Sequence, residues 1–235
     1  MSIAEKFEVI SDRVYDKGVA DKESEFWDNI QDNGTRKIYS YAFSRWNNSE
    51  YIHPKHKVIP NGDVNHMFFH CHNLKKVESK YFDFSNVPTT ASFNAMFNSC
   101  YALEEIEDIN LCVGKLYQTF SFDWELHTIA RLTVSETVIY TDAFLQCNKL
   151  KNITFDGVIG QSINFQWSPL SVVSMKNIIS HLKPTPTNTC TLTFNTDCWT
   201  NLEASGKPYQ EEWTGVTDET ITWQEYVFDT LGWDV

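Results

Sequence analysis

Two short clusters hold most of the reactive side chains in this 235-residue sequence. His66, His70, Cys71 and His72 bring three imidazoles and a thiol together, and both groups are zinc ligands. Glu104, Glu105, Glu107 and Asp108 bring four carboxylates together, and a carboxylate pair is the acid and base of glycoside hydrolysis. Neither cluster has the spacing of a built centre. The sequence contains no H-E-x-x-H, no G-x-S-x-G and no phosphate-cradling glycine loop, and its 9 glycines are few for a phosphate-binding enzyme. The expectation is therefore a protein that is not an enzyme and takes no cofactor. His66, His70 and His72 are at most weak metal candidates, and the carboxylates are solvated surface groups.

The elements that must position these residues follow from an internal repeat. Phe68-x-x-Cys71-x-x-Leu74-x-x-Val77 realigns on Phe97-x-x-Cys100-x-x-Leu103-x-x-Ile106, on Phe120-x-x-Asp123-x-x-Leu126-x-x-Ile129, and on Phe144-x-x-Cys147-x-x-Leu150-x-x-Ile153. The copies are 29, 23 and 24 residues apart, inside the span of roughly 20–29 residues for leucine-rich repeats. Each L-x-x-[V/I] piece opens a short strand, and Leu150, Ile153 and Phe155 carry the alternation on. Phe and Cys become inner columns, with Cys a small buried hydrophobe. Asp123 in the Cys column needs hydrogen-bond partners or water, which predicts a local turn or a looser coil there. Cys71 and Phe68 already belong to the inner columns, which weakens the metal reading of the histidines around them.

Phe82-Asp83-Phe84-Ser85-Asn86-Val87, followed by Ala95-Met96-Phe97-x-x-Cys100-x-x-Leu103, resembles the M-F-x-x-C-x-x-L…D-x-S-N-V repeat of BspA-like leucine-rich-repeat proteins. These occur as bacterial surface proteins and in phages and prophages of gut bacteria. The resemblance covers roughly residues 64–165. It implies a β-rich α/β repeat fold, a leucine-rich-repeat solenoid. The motif is specific for that fold and weak for function.

Residues 1–63 are expected to form an N-terminal cap with a short helix over 24–31, because the first coil of a solenoid otherwise exposes an apolar end. Residues 64–165 are the repeats, and 166–235 a C-terminal helix-strand cap with an acidic aromatic tail. In that cap Ser171 starts a helix with apolar positions 172, 175, 178, 179 and 182, closed by Pro184. Cys190, Leu192 and Phe194 alternate as a strand. Trp223, Tyr226, Val227 and Leu231 share a face of a terminal helix ending before Gly232.

With Lys+Arg 19 against Asp+Glu 31 the net charge is −12, which argues against a nucleic-acid partner. Hydrophobic residues at 42% and aromatics at 14% supply a core, which argues against a disordered chain. No apolar run of about 18 residues predicts membrane insertion, and the residues after Met1 lack the pattern of a signal peptide. The six scattered cysteines read as reduced and mostly buried.

A stacked sheet presents outward side chains in parallel columns, so the expected ligand face is Lys76, Glu78, Glu105, Glu107, Thr128, Ala130, Asn152 and Thr154. Tyr101, Tyr117, Trp124 and Trp167 are candidates for stacking on sugar rings, with at least two of them expected in the core. The expected function is that of a phage or prophage structural or tail-associated protein that recognises a protein or glycan ligand on a bacterial surface. Its expected location is the virion, or the host cytoplasm before assembly, and a homo-trimer is the oligomer to test. The alternatives are a BspA-like cell-surface adhesin, an intracellular protein-interaction module and a carbohydrate-active enzyme.

Overall fold

An apolar residue at every third position, repeated in four copies, can be buried only if equivalent residues of successive copies lie against one another. The computed structural model describes residues 40–47, 49–53, 57–185, 189–208 and 219–235, and it has this arrangement. Strands β1 (Lys76–Val77), β2 (Glu105–Ile106), β3 (Leu111–Cys112), β4 (Thr128–Val134) and β5 (Asn152–Gly157) form one sheet. All its pairings are parallel, and repeat-equivalent residues are partners. Lys76, Glu105, Thr128 and Asn152 make one row, and Val77, Ile106, Ile129 and Ile153 the next. β4 meets β2 at its start and β3 at its end, with an irregularity in its register to β5 between Ile129 and Leu132. Gly157 ends β5 at φ +96°, where an added Cβ would meet the Val134 carbonyl.

The opposite side of each coil is a tight turn built around the repeat phenylalanine. Residues two before and two after it are left-handed in five successive coils. They are Tyr41 and Arg45, His66 and His70, Ala95 and Ser99, Gln118 and Phe122, and Asp142 and Gln146, with φ between 49° and 65°. None is glycine, and each costs roughly 1–2 kcal/mol against the right-handed region. What holds them is a main-chain ladder. Tyr41, Phe43 and Arg45 donate their N–H groups to the carbonyls of Asn65, Met67 and Phe69, at 2.7–3.0 Å. His66, Phe68 and His70 donate likewise to Asn94, Met96 and Asn98, and Ala95, Phe97 and Ser99 to Tyr117, Thr119 and Ser121. Gln118, Phe120 and Phe122 continue to Thr141, Ala143 and Leu145.

Inside the turns the phenylalanine rings stack. Centroid separations are 5.1 Å for Phe43–Phe68, 5.1 Å for Phe68–Phe97, 5.6 Å for Phe97–Phe120, 5.5 Å for Phe120–Phe144 and 4.5 Å for Phe144–Phe165. Phe194 adds a tilted seventh ring at 6.2 Å. The divisions expected at 63/64 and 165/166 therefore do not interrupt the packing, because Phe43 lies before the first and Phe165 and Phe194 extend the column to the second and beyond it. The cysteines beside this column do more than fill space. Cys71, Cys100 and Cys147 are buried and free, and each thiol donates to the phenylalanine carbonyl one coil back: Phe43 at 2.9 Å, Phe68 at 3.0 Å and Phe120 at 2.9 Å.

Beyond β5 the stack is closed by α1 (Val172–Ser180), capped by the Ser171 hydroxyl, which accepts from Ser174 N–H. Its polar side chains stand in for a missing strand. Ser174 Oγ accepts from Ile153 N–H at 2.9 Å, and Asn177 both accepts from Phe155 N–H and donates to its carbonyl. A second parallel sheet holds β6 (Ile163–Phe165), β7 (Cys190–Phe194) and β8 (Trp233–Asp234), with α2 (Thr196–Ala204) after β7. The expected terminal helix is one α turn, Trp223–Glu225, with a Thr222/Glu225 capping box, continued by a π-helical turn over Tyr226–Thr230. The expected helix over 24–31, most of the expected cap before residue 40, and the acidic positions 211, 212 and 218 lie outside the described residues. No helix among the described residues is long and apolar enough to cross a membrane.

Asp123 sits fully buried in the cysteine column, and the ladder bonds of its coil are all made. Its Oδ1 accepts from Cys100 N–H at 2.8 Å, while Oδ2 has no partner among the described residues. Burial raises its pKa well above the ordinary carboxylate range. The folded state therefore favours the neutral acid, and stability is lost as pH rises from about 4 toward the folded pKa. Asp123→Asn keeps the Cys100 contact and removes the charge. It is expected to raise stability at pH 7 by about 1–3 kcal/mol and to flatten that part of the profile, as read by urea unfolding from pH 4 to 8.

Candidate functional site

Alternation along the short strands turns Val77, Ile106, Ile129 and Ile153 inward, so their neighbours form an outward row. Lys76, Glu105 and Thr128 in that row are half-buried and Asn152 is exposed. Glu78, Glu107 and Ala130 are also half-buried, and Thr154 is exposed. The row divides into two halves of different character.

In the first half the charges neutralise one another. Lys76 Nζ lies 2.6 Å from Glu107 and 3.1 Å from Glu105. Ser79 adds its N–H and hydroxyl to Glu107 at 2.9 Å and 2.8 Å. The lysine first, and then the serine, hold the Glu107 carboxyl down at about 2, and the two glutamates hold the Lys76 ammonium charged. Glu78 is occupied by His53 Nε2 at 2.5 Å. Asp108 belongs to a third group, paired with Arg131 at 3.0 Å, and Arg131 also donates to Asn110. A glycosidase acid needs a raised pKa, whereas Glu107 is fixed as an anion by a cation it shares with Glu105. The second half is neutral. Thr128 Oγ1 touches Asn152 Nδ2 at 3.5 Å, and the exposed Thr154 hydroxyl makes no side-chain hydrogen bond among the described residues.

The histidines are held by rings and not by a common centre. His66 stacks on Tyr41 at 4.6 Å, His70 lies 3.9 Å from Phe69, and His72 stacks on Tyr101 at 4.7 Å. Among the described residues no group of three His, Cys, Asp or Glu converges as a metal set. Burial lowers the pKa of His66. Burial, then His72, then Arg45, lowers that of His70.

Tyr101 in turn stacks on Trp124 at 4.5 Å with the planes 12° apart, so His72, Tyr101 and Trp124 form a second column of flat rings outside the core. The expectation that two of the four candidate aromatics pack in the core is corrected here: Tyr117, Trp124 and Trp167 are 43–46% exposed, and Tyr101 is half-buried. This column was readable in principle, since a planar ring follows the Cys/Asp position in three consecutive copies. Its physical reason is that coil spacing sets rings at those positions at stacking distance.

The lowered histidine pKa values mean that the unfolded chain binds more protons than the folded one below about pH 6.5. Stability is then full above that value and is lost as pH falls through it. His70→Asn, which suits the left-handed backbone, is expected to reduce this acid loss without changing stability at pH 8, as read by melting temperature against pH. No protein-family model, no curated protein and no solved structure matches this chain.

Proposed function

We propose that the chain is a capped leucine-rich-repeat solenoid that binds and does not catalyse, a phage or prophage structural or tail-associated protein recognising a protein or glycan on a bacterial surface. The observation that carries the reading is the pairing of repeat-equivalent residues, Lys76 with Glu105, Glu105 with Thr128 and Thr128 with Asn152. Such rows repeat one set of outward positions along a surface, the format of an extended binding face. The phage or prophage setting rests on the resemblance of the M-F-x-x-C-x-x-L and D-x-S-N-V pieces to BspA-like repeats.

The test is to purify particles from an induced lysogen carrying the gene and to measure binding of the purified chain to host cells. The expected outcome is the chain at a fixed copy number in the particle, with saturable cell binding. Absence from the particle together with no saturable binding contradicts the proposal.

A further inference from the structure

The turn ladder runs without a gap from Tyr41 to Phe122 and then stops. Asp142, Phe144 and Gln146 occupy the donor positions of the next coil, yet their N–H groups have no main-chain acceptor among the described residues. The neighbour that would accept is β6, which pairs with β7 on one side and is the edge strand of its sheet on the other. The chain thus changes from left-handed turns to an extended strand at this step, and the main-chain bonds between the two coils are lost there although Phe144 and Phe165 stay stacked at 4.5 Å. Between them lies a cleft of about 510 Å³ lined by residues 139–142, 161–164, Thr191 and Thr193. Such a volume is within the range of small-molecule sites.

The lining has one consistent chemistry. It presents the hydroxyls of Thr141, Thr191 and Thr193, the amides of Gln161 and Asn164, and the Asp142 carboxylate. Among the described residues none of the three threonine hydroxyls makes a side-chain hydrogen bond, and neither does the Asp142 carboxylate. Gln161 Nε2 and Asn164 Oδ1 are used locally, by the Glu136 carbonyl and by Gln166 N–H, which leaves the Gln161 carbonyl and the Asn164 amino group. Ile139, 47% exposed, supplies an apolar wall. No Lys, Arg or His lines the cleft, and the whole chain carries −12, so a phosphate or an anionic sugar finds no counter-charge.

We propose that this cleft binds a neutral saccharide unit, whose hydroxyls meet the Asp142 carboxylate, the free Asp142 N–H and the Thr191 and Thr193 hydroxyls, with its C–H face against Ile139. This deepens the reading of the chain as a surface-recognition protein and rests on it. It adds a pocket for one sugar unit at the step in the stack to the outward row of the sheet. A carboxylate that accepts from sugar hydroxyls, beside unpaired main-chain donors, gives a neutral polyol the mixed donors and acceptors it needs.

The test uses the full chain, Asp142→Asn and Thr193→Trp on an array of neutral and anionic oligosaccharides, with melting curves for each. Asn tolerates the left-handed backbone at 142, where φ is 52°, so this variant separates lost binding from lost folding. The expected result is retention of neutral oligosaccharides by the native chain, weakened about tenfold by Asp142→Asn at unchanged melting temperature and abolished by Thr193→Trp. Retention of anionic oligosaccharides alone, no retention of neutral ones, or equal retention by Asp142→Asn overturns the proposal. Whole-cell binding separates the two readings. Cells bound equally by the native chain and Asp142→Asn reject the cleft and leave surface recognition standing. No cell binding by the native chain, with Asp142-dependent array binding, rejects surface recognition and supports the cleft.

Discussion

The coil-to-coil main-chain ladder at the phenylalanine turns is the interaction on which the repeat coils between Tyr41 and Leu145 depend. A turn with two left-handed non-glycine residues is unfavourable alone, and here one recurs in five coils. In four of them the left-handed residues aim three alternate N–H groups at the next coil, so local strain is offset by bonds that exist only in the stack, while the fifth, at Asp142 and Gln146, only accepts such bonds from the coil before it. Four of the five stacked phenylalanine pairs lie between laddered coils, Phe144 and Phe165 stack without the ladder, and the thiols of Cys71, Cys100 and Cys147 take the spare lone pair of the Phe43, Phe68 and Phe120 carbonyls. No coil keeps these interactions without its neighbours, which couples the stability of one to the next.

That dependence also decides where chemistry is available. Side chains inside the columns are spent on packing, as the burial of Cys71, Cys100 and Cys147 illustrates. Charged side chains on the sheet are largely spent on each other, because coil-to-coil register sets Lys76 beside Glu105 and Arg131 beside Asp108. Such exposed or half-exposed pairs contribute little to stability and more to the order of the surface. Unused donors and acceptors collect where the register fails, at Asp142 and along the free edge of β6.

The inward columns were legible in the sequence because F-x-x-C-x-x-L-x-x-[V/I] repeats in a fixed order and each position has one apolar role. The helix after Ser171 and the strand ending at Phe194 were legible for the same reason, one from period and cap, the other from alternation. Ala42-Phe43 was legible only as an echo of the repeat start, and Phe165 not as a rung, because their coils carry Trp46 and Ser168 at the Cys position while the backbone keeps the register. Asp123 was legible as a carboxyl that needs a hydrogen-bond partner, which the Cys100 amide supplies, and burial favours its neutral form. The left-handed pairs left no compositional trace, since only two glycines or asparagines would have marked each of them. The cleft was invisible because it arises from a change of backbone type between two coils, and no residue pattern announces that.

The most direct test of the ladder account is residue-resolved amide hydrogen exchange on the native chain. The N–H groups of Phe68, Phe97 and Phe120 should exchange only through cooperative opening and with similar protection, whereas those of Asp142 and Phe144 should exchange orders of magnitude faster although their coil is folded. Uniform protection across Phe120, Asp142 and Phe144 would contradict the break in the ladder, and fast exchange at Phe68, Phe97 and Phe120 would contradict the ladder itself.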